Sequence, residues 1–262
     1  MMINFDKLHY YGEVIYENDL YKHVHFPDNP VFYWANFISF KRMPELDEFK
    51  QTSSYLKEFH EKNGQHHVQF FFPPNQKPLN EMIRFFHLED YEYGFSELYA
   101  IKPGQFREIK RNEDIEIQAV NDENFEDYLQ LKYQMDKRFG EYFAEQNAKL
   151  HKKNFTAPKF RQILAYYKGE PAGSLDVIFT DCKKMVEIDS FRVLDQYQKR
   201  GVGSHLQKYV MDHFPVDWVL ILVDGEDTPK EMIQKQNYQY YGFQYEARKV
   251  YHKIYQYSQL EV

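Results

Sequence analysis

A chain of 262 residues with 43% hydrophobic and 18% aromatic side chains holds ample material for buried cores; this excludes a disordered protein and allows one large domain or two modest ones. The net charge of -7 argues against non-specific binding to phosphate backbones and suits a cationic substrate, although mild acidity is also an ordinary solubility device. No run approaches ~18 apolar residues, Met1 to Lys7 lacks a basic region followed by an apolar segment, and the single cysteine, Cys182, excludes an internal disulfide, so a cytoplasmic protein is expected.

From the start of the chain, Val31 to Phe40 reads as a buried strand after the Asp28-Asn29-Pro30 turn. Leu46, Phe49, Ser53, Leu56 and Phe59 recur at helical spacing, and a strand from Val68 to Phe72 is stopped by Pro73-Pro74. A helix from Leu79 to Leu88 leads into Tyr93-Gly94-Phe95, and Leu98 to Lys102 reads as a strand. Lys102-Pro103-Gly104-Gln105, followed by the charged run Glu108 to Glu116, marks a boundary between a domain of residues 1–106 and one of residues 107–262.

In the second part, Ile115 to Val120 alternates as a strand, and Asn121 to Gly140 carries Phe125, Tyr128, Leu129 and Tyr133 on one helical face, with more helix to Lys153. Ile163 to Tyr167 and Ala172 to Thr180 flank the turn Lys168-Gly169-Glu170-Pro171 as a hairpin, and Met185 to Val193 is the next strand. After Gly201, the spacing of Val202, Leu206, Val210 and Phe214 predicts a helix ended by Pro215. Trp218 to Val223 is continuously apolar, as in a strand buried on both faces; a helix from Thr228-Pro229 to Gly242 and closing strands from Tyr245 to Tyr255 follow. Tyr93-Gly94-Phe95 and Tyr241-Gly242-Phe243 echo each other, which suggests a duplicated unit.

The chemistry concentrates in Gln198-Lys199-Arg200-Gly201-Val202-Gly203-Ser204, placed where a strand ends and an amphipathic helix begins. Glycines there let backbone N–H groups approach an anion, and the unpaired amides and dipole of a helix start favour a pyrophosphate. Lys199 and Arg200 add positive charge. A dinucleotide fingerprint needs a third spaced glycine, which is missing.

With its Gln198, Gly201 and Gly203 and the strand before them, this region resembles the GNAT superfamily of acyl-CoA N-acyltransferases, over roughly residues 110 to 262. The resemblance implies a mixed α/β (α+β) fold with a central, splayed mixed sheet. It further implies acetyl-CoA as co-substrate with no metal, a pantetheine arm paired with the backbone of Phe191, Arg192 and Val193, and a pyrophosphate on the amides from Arg200 to Ser204. The amino-terminal domain reads as a degenerate copy in a tandem arrangement; it lacks a glycine loop and is expected to border the acceptor site or support assembly.

Acyl transfer to an amine needs a proton acceptor for nitrogen and a proton donor for the departing thiolate. Tyr238 matches the donor, because the family's tyrosine precedes the Gly of its Gly-Phe pair by four residues; Tyr240 and Tyr241 are neighbours that compete for the assignment. Glu187 matches the acceptor: it shares a strand face with Asp189, and neighbouring acids raise each other's pKa. Water-mediated deprotonation stays open. In Glu226-Asp227-Thr228-Pro229, Asp227 stands where the family often has a pantetheine-binding asparagine, so that contact is not carried over. His66-His67 reads as surface, and Cys182 lacks a nucleophile signature.

The expected activity is transfer of an acetyl group from acetyl-CoA to a primary amine of a small molecule or peptide, without nucleic acid or membrane, and with homodimer formation open. A non-catalytic acetyl-CoA sensor and an aminoacyl or peptidyl transferase are the alternatives.

Overall fold

A computed structural model describes residues 2–180, 184–225 and 233–251. In chain order its elements are β1 (Glu13–Glu17), β2 (Tyr21–His25), β3 (Phe37–Phe40), α1 (Leu46–Lys62), β4 (His67–Phe71), α2 (Asn80–Leu88), β5 (Glu92–Ile101) and β6 (Ile115–Ala119). There follow α3 (Phe125–Asp136), α4 (Glu141–Thr156), β7 (Phe160–Tyr167), β8 (Glu170–Phe179), β9 (Met185–Val193), α5 (Val202–His213), β10 (Trp218–Asp224) and β11 (Gln239–Val250). Two compact units emerge, each from separated stretches: a larger one of residues 2–9, 98–180, 184–222 and 233–241, and a smaller one of residues 10–97, 223–225 and 242–251. The stretch 98–106, which precedes the expected boundary at 106, thus belongs to the larger unit, because Leu98 and Ala100 enter one core with Ile3, Met185 and Leu220.

In the smaller unit the strands run in the order β1-β2-β3-β4-β11-β5. Helix α1 starts with a capping box, in which the Glu48 side chain accepts from the Glu45 amide at 2.9 Å. Its buried face presents Phe49, Ser53 and Leu56 to Phe70 and Phe72 of the β4 segment and to Met82 and Phe86 of α2. Val68 and Phe70, alternate residues of β4, enter this core. His67 is 1% exposed, which corrects the surface reading: its ring packs 4.7 Å from His60 and its Nε2 bonds the Asn36 carbonyl. Of the strand expected over Val31 to Phe40 only Phe37–Phe40 pairs; Tyr33–Ala35 forms a 3-10 turn.

In the larger unit the order is β5-β10-β9-β8-β7-β6, mixed through the parallel pairing of β9 with β10. Helices α3 and α4 reach the sheet where Tyr128 donates to Asp176 and the Gln162 side chain donates to the His151 carbonyl. Helix α5 packs against β6, β7 and β8, burying Val202, Leu206 and Val210. Cover on both faces accounts for the continuous burial of β8. The expected helix of residues 121–140 is shorter, Phe125–Asp136, followed by a 3-10 turn. The Thr228-Pro229 start of the last expected helix lies outside the described residues, and β11 begins already at Gln239. The Tyr-Gly-Phe echo falls inside β5 and β11. Only Gly242 is constrained, with φ +143° and the Asn75 side chain 2.5 Å from where a Cβ would stand.

Candidate active site

Three features of the larger unit converge on one chemistry. The first is the entry to α5. Gly201 caps the helix with φ +94°, a left-handed conformation that favours glycine, and Lys199 before it also has positive φ (+58°). A Cβ at Gly201 meets nothing closer than 3.6 Å, so the backbone angle, and not crowding, sets the requirement. The Gln198 side chain donates to the Val193 carbonyl and to Asp195, and Arg200 Nε donates to the Gln196 carbonyl; the loop is thereby held to the end of β9. The amides of Val202, Gly203 and Ser204 occupy the first turn, where no intrahelical acceptor exists. Lys199 and Arg200 are exposed beside them.

The second feature is a split between β9 and β10. Their parallel ladder runs from Met185–Trp218 to Ile188–Ile221, and β9 continues to Val193 beyond it. Across the other edge, the pairing with β8 shifts: Asp176 faces Asp189 but Ser174 faces Arg192, so β9 carries an extra residue. Ser190 absorbs that bulge with φ +50°. Arg192 and Val193 pair with Ser174 and Gly173 on β8, leaving their opposite edge clear of the β10 ladder; Phe191 is half-buried between them and the bulge. The Arg192 guanidinium turns away to Asp136, 2.6 Å distant.

The third feature is a pair of titratable groups. Glu187 is buried at 6% exposure, and its Oε2 accepts the His9 amide at 2.6 Å. Burial, reinforced by the Asp189 carboxylate, pushes its pKa up to about 8 against the opposing His9 hydrogen bond. Tyr238 is also buried, its ring edge-on to Phe106, and burial pushes its pKa up. Its hydroxyl has no hydrogen-bond partner among the described residues. Gln236, two residues before it, donates to Ser204 Oγ at 2.8 Å, which ties the approach to Tyr238 to the first turn of α5. No hydrogen bond links Glu187 to Tyr238. Tyr240 is exposed and Tyr241 half-buried, each on β11.

Sequence reasoning missed a buried polar network on α3, α4, β8 and β9. Tyr128 Oη donates to Asp176 at 2.7 Å and lies 3.3 Å from His151 Nδ1; Lys132 Nζ stands 3.9 Å from Asp176 and donates to the Ser190 carbonyl at 2.8 Å. Burial alone would raise the pKa of Asp136, but His151, Asn147 and Arg192 hold it at about 2. Its signal was Asp176 inside an apolar strand, and Lys132 and Asp136 one turn apart among the apolar residues of α3. Cys182 and Glu226-Asp227-Thr228-Pro229 lie outside the described residues. Among the described residues no group of three or more His, Cys, Asp or Glu side chains is placed to hold a metal ion, and no helix is long and apolar enough to cross a membrane.

Comparison with known proteins bears on the family and the fold. Residues 119–217 match the acetyltransferase (GNAT) family, and residues 3–99 match a domain of unknown function, DUF5613. A functionally unknown conserved protein from Staphylococcus epidermidis ATCC 12228 is similar at 30% identity, TM-score 0.87, over 95% of this chain and 98% of that one. The chain belongs to one family with that protein, and its residues 119–217 carry the match to the GNAT acetyltransferase family. The same fold recurs in a GCN5-related N-acetyltransferase from Kribbella flavida, at 9% identity and TM-score 0.59 over 91% of this chain and 90% of that chain. It recurs too in a tandem GNAT protein from the clavulanic acid biosynthesis pathway, at 10% identity and TM-score 0.51 over 82% and 75% of the two chains. No protein of curated function matches the sequence.

Proposed function

We propose that the protein transfers an acetyl group from acetyl-CoA to a primary amine of a small molecule or peptide. The observation that carries this reading is the glycine-capped start of α5 directly following a strand, β9, that has parted from β10. The residues fit the coenzyme: the amides of residues 200–204 suit a pyrophosphate, the clear edge of Phe191, Arg192 and Val193 suits the amides of a pantetheine arm, and the unpartnered Tyr238 hydroxyl suits a sulfur. When bound, acetyl-CoA supplies an activated thioester carbonyl. Glu187 takes the proton that leaves the amine nitrogen as the C–N bond forms. Tyr238 gives its proton to sulfur as the C–S bond breaks. Carboxylate in, phenol out: one proton is gained and one lost by the protein, and solvent resets both. A homodimer and a cytoplasmic location belong to the same proposal.

The test is calorimetric titration with acetyl-CoA, followed by a screen of amines for thiol release. Gly203→Glu is the informative variant, because Gly203 lies inside the first turn and does not need the left-handed angle of Gly201. Binding by wild type that this variant abolishes, with thiol release for one amine class, supports the proposal. Binding without thiol release for any amine favours an acetyl-CoA sensor, and absence of binding overturns the coenzyme reading.

A further inference from the structure

We propose that Lys132 is a positioning residue for the acyl donor: by clamping the Ser190 carbonyl it holds the bulge that turns the end of β9 away from β10 and so presents the backbone of residues 191–193 to the pantetheine arm. The inference rests on the coenzyme reading above. Four observations carry it. Ser190 has φ +50°, a left-handed angle that costs a non-glycine residue on the order of 1 kcal/mol or more and persists only when surroundings impose it. The ladder to β10 stops two residues earlier, at Ile188, and the extra residue on the β8 side falls between Asp189 and Arg192. Lys132 Nζ donates to the Ser190 carbonyl at 2.8 Å. Lys132, which makes this bond, is 2% exposed, and a buried ammonium is costly without compensation.

That compensation explains why the lysine stays. Asp176 stands 3.9 Å away, itself fixed by Tyr128 at 2.7 Å, and Asp176 faces Asp189 across the two strands. Lys132 projects from α3, whose last residue, Asp136, binds Arg192 at 2.6 Å. Helix α3 therefore grips β9 on both sides of Phe191: at the Ser190 carbonyl through Lys132 and at the Arg192 guanidinium through Asp136. A peptide strand so held at two neighbouring points cannot flatten back onto β10, and its N–H and C=O groups stay available to another chain of amides.

Lys132→Met keeps the aliphatic stem and removes the clamp, but leaves Asp176 as a buried charge without its ammonium; the double variant Lys132→Met/Asp176→Asn removes both charges. Three measurements on the full chain test the idea: hydrogen exchange of the amides of residues 190–193, calorimetric affinity for acetyl-CoA, and affinity for adenosine 3′,5′-bisphosphate, which lacks the pantetheine arm. Both variants should exchange these amides faster and bind acetyl-CoA about tenfold more weakly, the loss of one or two backbone hydrogen bonds, with affinity for the nucleotide unchanged. Unchanged exchange, equal losses for both ligands, or recovery of acetyl-CoA affinity in the double variant would each overturn the inference, the last showing that Lys132 only balances Asp176. If wild type itself fails to bind acetyl-CoA, the coenzyme reading falls first and this inference with it; binding by wild type that neither variant weakens sinks only the role of Lys132.

Discussion

Two buried groups with opposite protonation tasks distinguish the proposed chemistry at the scale of single residues. Burial, and after it the neighbouring Asp189 carboxylate, pushes the Glu187 carboxyl up to about 8. A proton acceptor must be ionised, so turnover should rise as pH increases towards 8 and level off above it. Glu187→Gln should lower turnover about a hundredfold and flatten that limb of the profile, which a rate–pH series measures. Tyr238 makes a different prediction. Its hydroxyl is buried without a partner among the described residues, so Tyr238→Phe should leave the melting temperature unchanged or slightly higher while turnover drops. A lowered melting temperature with normal turnover would instead mean that the tyrosine only packs. Both residues were proposed from local signals: Glu187 from alternation along Met185 to Val193, and Tyr238 from the resemblance to a family tyrosine four residues before the Gly of a Gly-Phe pair. Lys132 and Asp176 escaped such signals, because their partners lie on other elements and no spacing along the chain records them.

At the scale of elements, helix α5 and the histidine-lined core of the smaller unit differ in what holds them. Val202, Leu206 and Val210 recur at i, i+4 and are at most 1% exposed, so Leu206→Ala should cost about 2–5 kcal/mol, read as a lowered denaturant midpoint. That helix was legible because an amphipathic period needs no knowledge of its partner. The smaller unit instead buries His23, His60 and His67 among aromatic rings: His23 lies 4.6 Å from Phe59, and His67 lies 4.3 Å from Tyr33. Burial pushes His23 down to about 3 and His60 to about 4, while unfolded histidines titrate near 6.5. Between those values the unfolded chain binds more protons, so this unit should lose stability as pH falls from about 6.5 towards 4. Urea unfolding at pH 7.5 and 5.0, repeated with His23→Phe, checks the slope, which the substitution should reduce. Neither β1 nor β2 was read from the sequence: β1 (Glu-Val-Ile-Tyr-Glu) is exposed along its whole length, and β2 mixes a buried histidine, His23, with the exposed Lys22, so neither shows clean apolar alternation.

On the scale of the whole molecule, each unit is assembled from stretches far apart in the chain. The core around Met185 and Leu220 takes in Ile3, Leu98 and Ala100, and Glu187 is bonded by the His9 amide. Removing residues 1–105 therefore strips the GNAT-matching unit of part of its own interior, and the truncated chain should be insoluble or lack a cooperative melting transition; a soluble fragment with a sharp transition would contradict this. A domain boundary drawn from composition could not reveal such an arrangement, since turn residues and charge mark where the chain is exposed and not which strands pair. Strand β4 pairs with β11, Phe71 opposite Glu246, and Ala247 completes a core whose other buried members lie between Tyr21 and Tyr91. Synthesis runs from the amino end, so a nascent chain leaves the ribosome with one edge of β4 open until residues near 246 are released. The first hundred residues thus cannot mature during translation, and the protein is expected to need shelter by a holdase chaperone in the interval between emergence and completion.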